Sequence, residues 1–337
     1  MGGDHAPQAI LAGVVGALDR LEPDDHLVLV GDEGAIREHL AGADLAGDDR
    51  LTIIGTSEVV GMAEPPVEAV RGKPDSSINV LAELATEKKS AKRSQAKLDV
   101  VISAGNTGAF VSAAQMHMRR LRGVHRPGIA VAVPTFAGPV VLIDVGANIE
   151  PKPHHLAQYG VMGEIYARTI LGIEEPRVAL MNVGGEEQKG TAEMKQAREL
   201  LAMAEGANFK GYIEGRGVFD GDADVVITDG VVGNVMIKLA EGLSAGIFKA
   251  IGREVMRIDP ELAKRFQPVV QEIYAQHDYH EYGGAPLLGV NGVAIIAHGS
   301  SEARTITNAI LRSREIVERR VNEVITRQLA EMEATTA

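Results

Sequence analysis

Cysteine and tryptophan are absent from this 337-residue chain, and aromatic residues make up only 4% of it. The missing cysteines exclude disulfides, thiolate catalysis and cysteine-ligated zinc. Basic residues are in deficit, with 34 Lys+Arg against 46 Asp+Glu and a formal charge of −12. A nucleic-acid-binding surface normally leaves a basic footprint, so no nucleic-acid partner is expected. The basic tract Lys88–Lys97 reads as a solvated helix end and loop. Long uninterrupted apolar runs are lacking too. The longest apolar stretch, Ile129 to Ala147, is broken by Pro134, Gly138 and Pro139 and reads as two strands. The opening Met1-Gly-Gly-Asp4-His5 has neither the basic nor the apolar region of an export signal. These features lead to the expectation of a cytoplasmic chain. Its length suits one large domain or two ordinary ones.

What is present is a rhythm of short Val/Ile-rich runs and longer helical patterns. The runs are His26–Val30, Leu51–Ile54, Leu98–Ser103, Ile129–Val133, Val140–Val145, Arg177–Val183, Phe209–Glu214, Ala223–Thr228 and Val293–Ala297. Most are continuous, as expected of strands covered on both faces. Helical patterns fill Gln8–Arg20, Glu33–Leu40, Ile78–Ser90, Gly108–Arg119, His155–Ile170, Thr191–Ala204 and Val235–Met256. This alternation predicts an α/β fold, a mainly parallel sheet with helices on both faces. The runs 129–133 and 140–145, joined by a Pro/Gly turn, predict a local antiparallel hairpin. One last helix is expected from about Ser301 to Ala330, with an apolar stripe through Ile306, Ile310, Val317, Val321, Val324 and Leu329. Residues 241–282 break the rhythm as a helical excursion, with two helices parting near Asp259-Pro260. The α/β core is then 1–240 with 283–337.

Several strands run directly into small, polar loops. They are Ser103-Ala-Gly-Asn106-Thr107-Gly108, Asp144-Val-Gly-Ala-Asn148, Asn182 to Thr191, Thr228-Asp229-Gly230-Val-Val-Gly233-Asn234, and His298-Gly-Ser300-Ser301. Ligands of open α/β sheets bind beyond the carboxyl ends of the strands. Glycines let backbone N–H groups approach an anion, and helix N-termini favour negative charge. The loops are therefore expected to converge on one phosphate-type site, although any single one of them serves equally well as a turn or helix cap. Named nucleotide, hydrolase and zinc motifs are missing: no Gly-x-Gly-x-x-Gly, no Walker A order around Lys189, no Gly-x-Ser-x-Gly, no His-Glu-x-x-His. His154-His155 and His277-x-x-His280 lack carboxylate partner patterns and read as capping or solvent-facing histidines. No metal and no cofactor are expected.

Met1-Gly-Gly-Asp4-His5-Ala-Pro7, Ser103–Gly108, Asp144–Asn148, Glu214-Gly-Arg216, Ala223–Gly230, Gly233-Asn234, Tyr282–Gly292 and Ala297–Ser301 together carry a resemblance. The chain resembles the bacterial phosphate acyltransferases, the acyl-acyl-carrier-protein:phosphate acyltransferases of phospholipid synthesis, nearly end to end. The resemblance implies a Rossmann-like fold related to phosphotransacetylases and the isocitrate dehydrogenase group. It implies a homodimer that transfers a fatty acyl group from acyl carrier protein to inorganic phosphate, for use by a membrane glycerol-3-phosphate acyltransferase. Lys189 matches the family's active-site lysine and Asn234 its active-site asparagine. Asn106, Thr107, Gly108, Asp229, His298 and Ser300 are the further candidates for phosphate or substrate contact. Phosphate is already a nucleophile and a thiol a fair leaving group, so orientation and oxyanion stabilisation are what such a protein must supply.

The chain departs from the family in two places. Members carry a strand ending Asp-Ala ahead of Met-Gly-Gly-Asp, and its absence leads us to expect a poorly anchored loop at Asp4-His5. Gly185 stands where relatives commonly have a carboxylate. The resemblance also implies peripheral membrane contact through the excursion. Phe248, Ile251, Val255, Phe266, Val269 and Ile273, interleaved with Arg and Lys, suit either a membrane surface or a dimer partner. The alternative functions are a phosphate acetyltransferase-like enzyme using acyl-coenzyme A, an isocitrate-type dehydrogenase, and a non-catalytic scaffold that binds acyl carrier protein.

Overall fold

The computed structural model describes residues 3–45, 47–93, 95–204, 208–276 and 283–336. It divides into two compact units, Met1–Ile129 with Tyr282–Ala337, and Ala130–Glu281.

In the first unit, chain order gives α1 (Gln8–Leu18), β1 (Leu27–Gly31), α2 (Glu33–Gly42), β2 (Leu51–Gly55), α3 (Pro66–Gly72), α4 (Ser77–Leu84), α5 (Glu87–Ser90), β3 (Val100–Ser103), α6 (Thr107–His117) and the start of β4 (Gly128–Thr135). The second unit continues with β5 (Gly138–Ile143), α7 (Pro153–Thr169), β6 (Val178–Met181), α8 (Ala192–Met203), β7 (Phe209–Ile213), α9 (Gly215–Asp220), β8 (Val225–Ile227), α10 (Gly230–Ile258) and α11 (Pro260–Gln276). The chain then returns to the first unit for β9 (Ala285–Leu288), β10 (Val293–Ile296), α12 (Ala303–Glu318) and α13 (Val321–Thr336).

The expected α/β architecture with a mostly parallel sheet is present. In the second unit, β5, β8, β6 and β7 lie side by side, all parallel, and the remainder of β4 pairs antiparallel with β5. The predicted hairpin is this β4–β5 pair, turning between Thr135 and Gly138. One sheet face packs Val140, Leu142, Ala179, Met181 and Val226 against Met236 and Ile237 of α10. On α7 every residue from His155 to Ala167 is buried. Two glycines let it approach so closely: a Cβ on Gly163 would lie 2.7 Å from Val225 Cγ1, and one on Gly160 2.6 Å from Leu201 Cδ2.

In the first unit, β3 pairs parallel with β10, β10 antiparallel with β9, and β9 antiparallel with Gly128 and Ile129 of β4. Strands β1 and β2 form a separate two-stranded parallel sheet. Leu11 and Val14 of α1 pack with Leu29 of β1 and with Ile36 and Leu40 of α2.

Two expectations about elements need correction. The last helix is two helices, because Arg320 takes a left-handed backbone (φ 51°) between α12 and α13. Strand β9 and helices α3 and α9 were not foreseen. The segment 78–90 is not one helix: α4 stops at Leu84 and α5 restarts at Glu87. Helix α10 runs unbroken from Gly230 to Ile258, and the two helices of the excursion part at Asp259, as expected, with Asp259 capping α11.

Candidate active site

The predicted loops fall into two sets, one in each unit. Residues 103–108 and 297–301 leave the parallel pair β3 and β10 in the first unit. Residues 144–148, 182–191 and 228–234 leave the parallel strands β5, β6 and β8 in the second. Within each unit, parallel neighbours place their following loops at the same sheet edge.

In the second unit Asp144 is fully buried at the end of β5. Its carboxylate accepts from Gly146 N (3.3 Å), Ala147 N (3.1 Å), Asn148 N (2.7 Å) and Asn148 Nδ2 (3.2 Å), folding 144–148 into a tight loop. Thr228 Oγ1 donates to Asp144 O at 2.6 Å and ties the end of β8 to it. Helix α10 starts against this loop, with Gly230 N donating to Asn148 O at 2.8 Å. Only glycine fits one turn on, because a Cβ at Gly233 would lie 2.1 Å from Asp144 O. Asn234 follows directly, half-buried, and its amide makes no hydrogen bond among the described residues. Asp229 is the N-cap of α10 and accepts from Val231 N (2.9 Å) and Val232 N (2.8 Å). Those two amides are thereby committed, whereas the side chain of Asn234 is available as a donor.

Lys189 sits in the β6–α8 loop, ahead of Thr191, the N-cap of α8, and not in the helix's first turn. Its ammonium lies 2.6 Å from Glu186 Oε2, with 46% of the lysine side chain and 54% of the glutamate exposed. The hydrogen bond from Lys189 holds the Glu186 carboxyl below the usual carboxylate range. The lysine stem crosses Gly184, where a Cβ would come within 2.5 Å of Nζ. Gly190 (φ +90°) turns the chain beside Asn182, leaving no room for a side chain. Glu187 pairs instead with Arg198 of α8. A Cβ added at Gly185 would meet nothing within 4 Å, so the side chain that relatives carry there would have open space.

In the first unit, Asn106 is 7% exposed and its amide is fully engaged. Oδ1 accepts from Ala109 N at 3.0 Å as the N-cap of α6, and Nδ2 donates to Gly61 O, Met62 O and Glu64 O at 3.1–3.3 Å. Gly108 lets α6 approach α3, since a Cβ there would meet Pro66 Cγ at 2.7 Å. Thr107, on the first turn of α6, makes no side-chain hydrogen bond among the described residues. His298 and Ser300 are exposed and bonded to each other. Ser300 Oγ lies 2.7 Å from His298 Nδ1, which also accepts from Ser300 N at 3.3 Å, so the ring proton belongs on Nε2. The expectation of an unanchored Asp4-His5 loop is overturned: Asp4 N donates to Gly299 O at 2.8 Å.

His155 caps α7, its Nδ1 accepting from Lys152 N at 3.0 Å, in line with the capping role read for it. His277 and His280 lie outside the described residues. Among the described residues no three His, Asp or Glu side chains group as a metal-ligand set. Two features escaped the sequence reading: the carboxylate partner Glu186, signalled only by its i, i+3 spacing to Lys189, and Asp144 as the organiser of the loop under α10.

The family described as "Fatty acid synthesis protein" matches residues 1–324. A phosphate acyltransferase of Desulforamulus reducens is 43% identical over 319 residues, covering 94% of this chain and 92% of its own length. That of Bacillus subtilis strain 168 is 39% identical over 335 residues, covering 98% and 96%. Among solved structures, a phosphotransacetylase from Streptococcus pyogenes shares the fold with a TM-score of 0.59 at 18% identity, over 90% of this chain and 91% of its own. A branched-chain phosphotransacylase from Enterococcus faecalis V583 does so with a TM-score of 0.51 at 14% identity, over 93% and 96%.

Proposed function

This chain belongs to the bacterial phosphate acyltransferase family, and we propose that it moves a fatty acyl group from acyl carrier protein to inorganic phosphate, giving an acyl phosphate. A phosphate oxygen attacks the thioester carbonyl carbon, a C–O bond forms, and the tetrahedral oxyanion collapses as the C–S bond breaks. The carrier thiolate leaves and takes its proton from solvent. No covalent enzyme intermediate is needed.

The observation that carries this reading is the pairing of two features in the second unit. Among the described residues, Lys189 offers a half-exposed ammonium paired with one exposed carboxylate, and Asn234 an amide without a hydrogen-bond partner on the first turns of α10. Lys189 lies on the loop that follows β6 and Asn234 at the start of the helix that follows β8, its parallel neighbour. The ammonium would take phosphate in exchange for Glu186, and the Asn234 amide would donate to the oxyanion. Asp144 and Gly233 fix α10 against the loop after β5, so the donor is held in place before substrate arrives. In the first unit Thr107 and the His298–Ser300 pair carry the expectation of further anion contact, whereas Asn106 and Gly108 there, and Asp229 in the second unit, act through the backbone they position.

Further parts of the proposal are a homodimer, a cytoplasmic or membrane-peripheral location, and delivery of product to a membrane glycerol-3-phosphate acyltransferase. The donor is tested by thiol release from palmitoyl-acyl carrier protein and from palmitoyl-coenzyme A, each with and without phosphate. Phosphate-dependent release with the higher kcat/KM on the carrier protein is expected. Equal or faster reaction of the coenzyme A thioester would replace the donor with the phosphate acetyltransferase-like alternative.

A further inference from the structure

From Val100 to Ile143 the chain carries neither Asp nor Glu, although the whole sequence has an excess of acid. Four arginines fall in that interval, Arg119, Arg120, Arg122 and Arg126, and all are exposed. The backbone that carries them is anchored. Arg119 takes a left-handed conformation (φ 67°), Asn291 N donates to Arg119 O at 3.0 Å, and Leu121 N donates to Gly289 O at 3.0 Å. Arg120 Nη1 donates to His125 O, and Met118 and Val124 are buried. A second segment is tied to the same turn, since Asn322 Nδ2 donates to Val290 O (3.3 Å) and Gly292 O (2.8 Å). Arg319 and Arg320, exposed at the α12–α13 junction, come just ahead of Asn322. Both arginine groups are thus fixed to one turn, between β9 and β10 of the first unit.

Elsewhere in this unit Arg37, Arg50, Lys73, Arg93 and Arg314 each pair with a carboxylate. Among the described residues none of the six arginines at the turn does. Glu318 is held by Arg314 at 2.7 Å, which leaves Glu323 as the carboxylate of this region without an ion pair. A single exposed charge is comfortable in water, but six of one sign fixed to one turn repel each other and raise a positive potential. All six are arginine, whose planar fork suits bidentate contact with carboxylates. Neither segment has an aromatic residue on which a base could stack, which disfavours nucleic acid. Leu121 is half-buried and Val124 buried, so the apolar face of a membrane-surface helix is missing as well. Met116, close by on α6, is 44% exposed, and Met beside Arg is the composition of a protein interface. Four residues beyond Arg126, Ala130 of β4 pairs with Ile143, the residue before Asp144, so the basic segment continues into the strand that borders the Asp144 loop.

We propose that this arginine turn, Arg119–Arg126 with Arg319 and Arg320, is the docking surface for an acidic protein, the acyl carrier protein that brings the thioester. Carboxylates of the partner would replace water on the guanidinium groups and relieve their mutual repulsion. The partner's identity rests on the acyl-transfer reading, whereas the preference for an acidic protein surface rests on the arginines themselves.

Three forms of the full chain test it: the parent, Arg122→Glu with Arg319→Glu, and Lys88→Glu with Lys92→Glu, which makes the same change of charge in the other basic tract of the unit. Arg120 is left alone because it braces the segment. Binding of palmitoyl-acyl carrier protein, followed by fluorescence anisotropy without phosphate, needs no turnover. The arginine variant should bind about tenfold more weakly than the parent or worse. The lysine variant should stay within about threefold of the parent, and the parent's affinity should fall as salt is raised. In turnover, KM for the carrier protein should rise by the same factor as the binding constant, and KM for phosphate should hold. Arg122→Gln with Arg319→Gln, which adds no carboxylate, should weaken binding in the same direction and carries the test where the reversal does not fold. Equal weakening by the lysine variant, or parent-like binding by the arginine variants, would overturn the surface and leave the acyl-transfer reading standing. A parent that binds no carrier protein at low salt would overturn both. Phosphatidylglycerol vesicles that capture the parent but not the arginine variant, with carrier-protein binding equal in the two, would reassign the turn to an anionic membrane.

Discussion

Lys189 and Glu186 form an exposed ion pair whose Coulomb energy is small in water, so little is lost when phosphate replaces the carboxylate. Glu186 should then act as a competitor for the phosphate position. Glu186→Gln is expected to lower KM for phosphate several-fold with little change in kcat, measured by thiol release at varied phosphate. A higher KM would mean that Glu186 instead positions the lysine. The sign with pH agrees: Lys189 keeps the Glu186 carboxyl ionised below the usual range, and the pair opens only as pH falls through that lowered value. Lys189 was legible through family resemblance alone, because one lysine in a glycine-rich loop has no distinguishing spacing. Asn106 was legible as an important position but not as a cap with its whole amide engaged. Its four partners come from two segments more than forty residues apart in sequence for three of the contacts.

Among the elements, the parallel strands of the second unit are tied at their amino ends, away from the candidate loops. Asp224, just before β8, accepts from Arg177 N (2.8 Å), Nε (2.9 Å) and Nη2 (2.8 Å), just before β6. Partial burial pushes the Asp224 carboxyl up, but the hydrogen bonds from Arg177 outweigh it and leave the net shift downward. The stability this pair contributes is present above the ordinary aspartate range and lost as pH falls through the lowered value. Asp224→Asn should cost about 1–2 kcal/mol by urea unfolding at neutral pH, allowing for solvent screening of the half-exposed arginine. Its kcat should stay near that of the parent. The β4–β5 hairpin and the parallel strands were legible because continuous apolar runs and a Pro/Gly turn announce them. The α12–α13 break was not, since Arg320 turns the chain without a Gly or Pro to mark it. Strand β9 was hidden by its Pro286 and by Gly283 and Gly284 ahead of it. The separation of β1–β2 from the other strands depends on strand neighbours, which no local pattern encodes.

The whole molecule carries an apolar surface that a solitary chain would leave wet. Val231, Val235, Leu239, Leu243, Ile247 and Ile251 recur every fourth residue along α10, all exposed, and Leu262, Val269 and Ile273 continue on α11. Among the described residues, Gly230–Ile258 is the one helix long and apolar enough to cross a membrane by length and composition. Spaced four apart on a helix of 3.6 residues per turn, the stripe winds slowly around α10, which suits packing against a second copy. The parent should elute as a dimer in size-exclusion chromatography with light scattering, and Leu243→Asp with Ile247→Asp should give monomer. A monomeric parent that floats with liposomes, and loses flotation on Phe266→Asp, would assign the surface to a membrane instead. The α/β class was legible at this scale from strand–helix alternation. The distribution of the loops over two units was not, because alternation says nothing about which strands share a compact body.

The most direct test of acyl transfer to phosphate is acyl phosphate formation from palmitoyl-acyl carrier protein and inorganic phosphate, with the parent beside Lys189→Ala, both first shown to be folded by circular dichroism. The account predicts phosphate-dependent product from the parent and a loss of about 10²–10³ in rate for the variant. Equal rates in the two proteins, or carrier-protein binding without turnover in a folded parent, would contradict it.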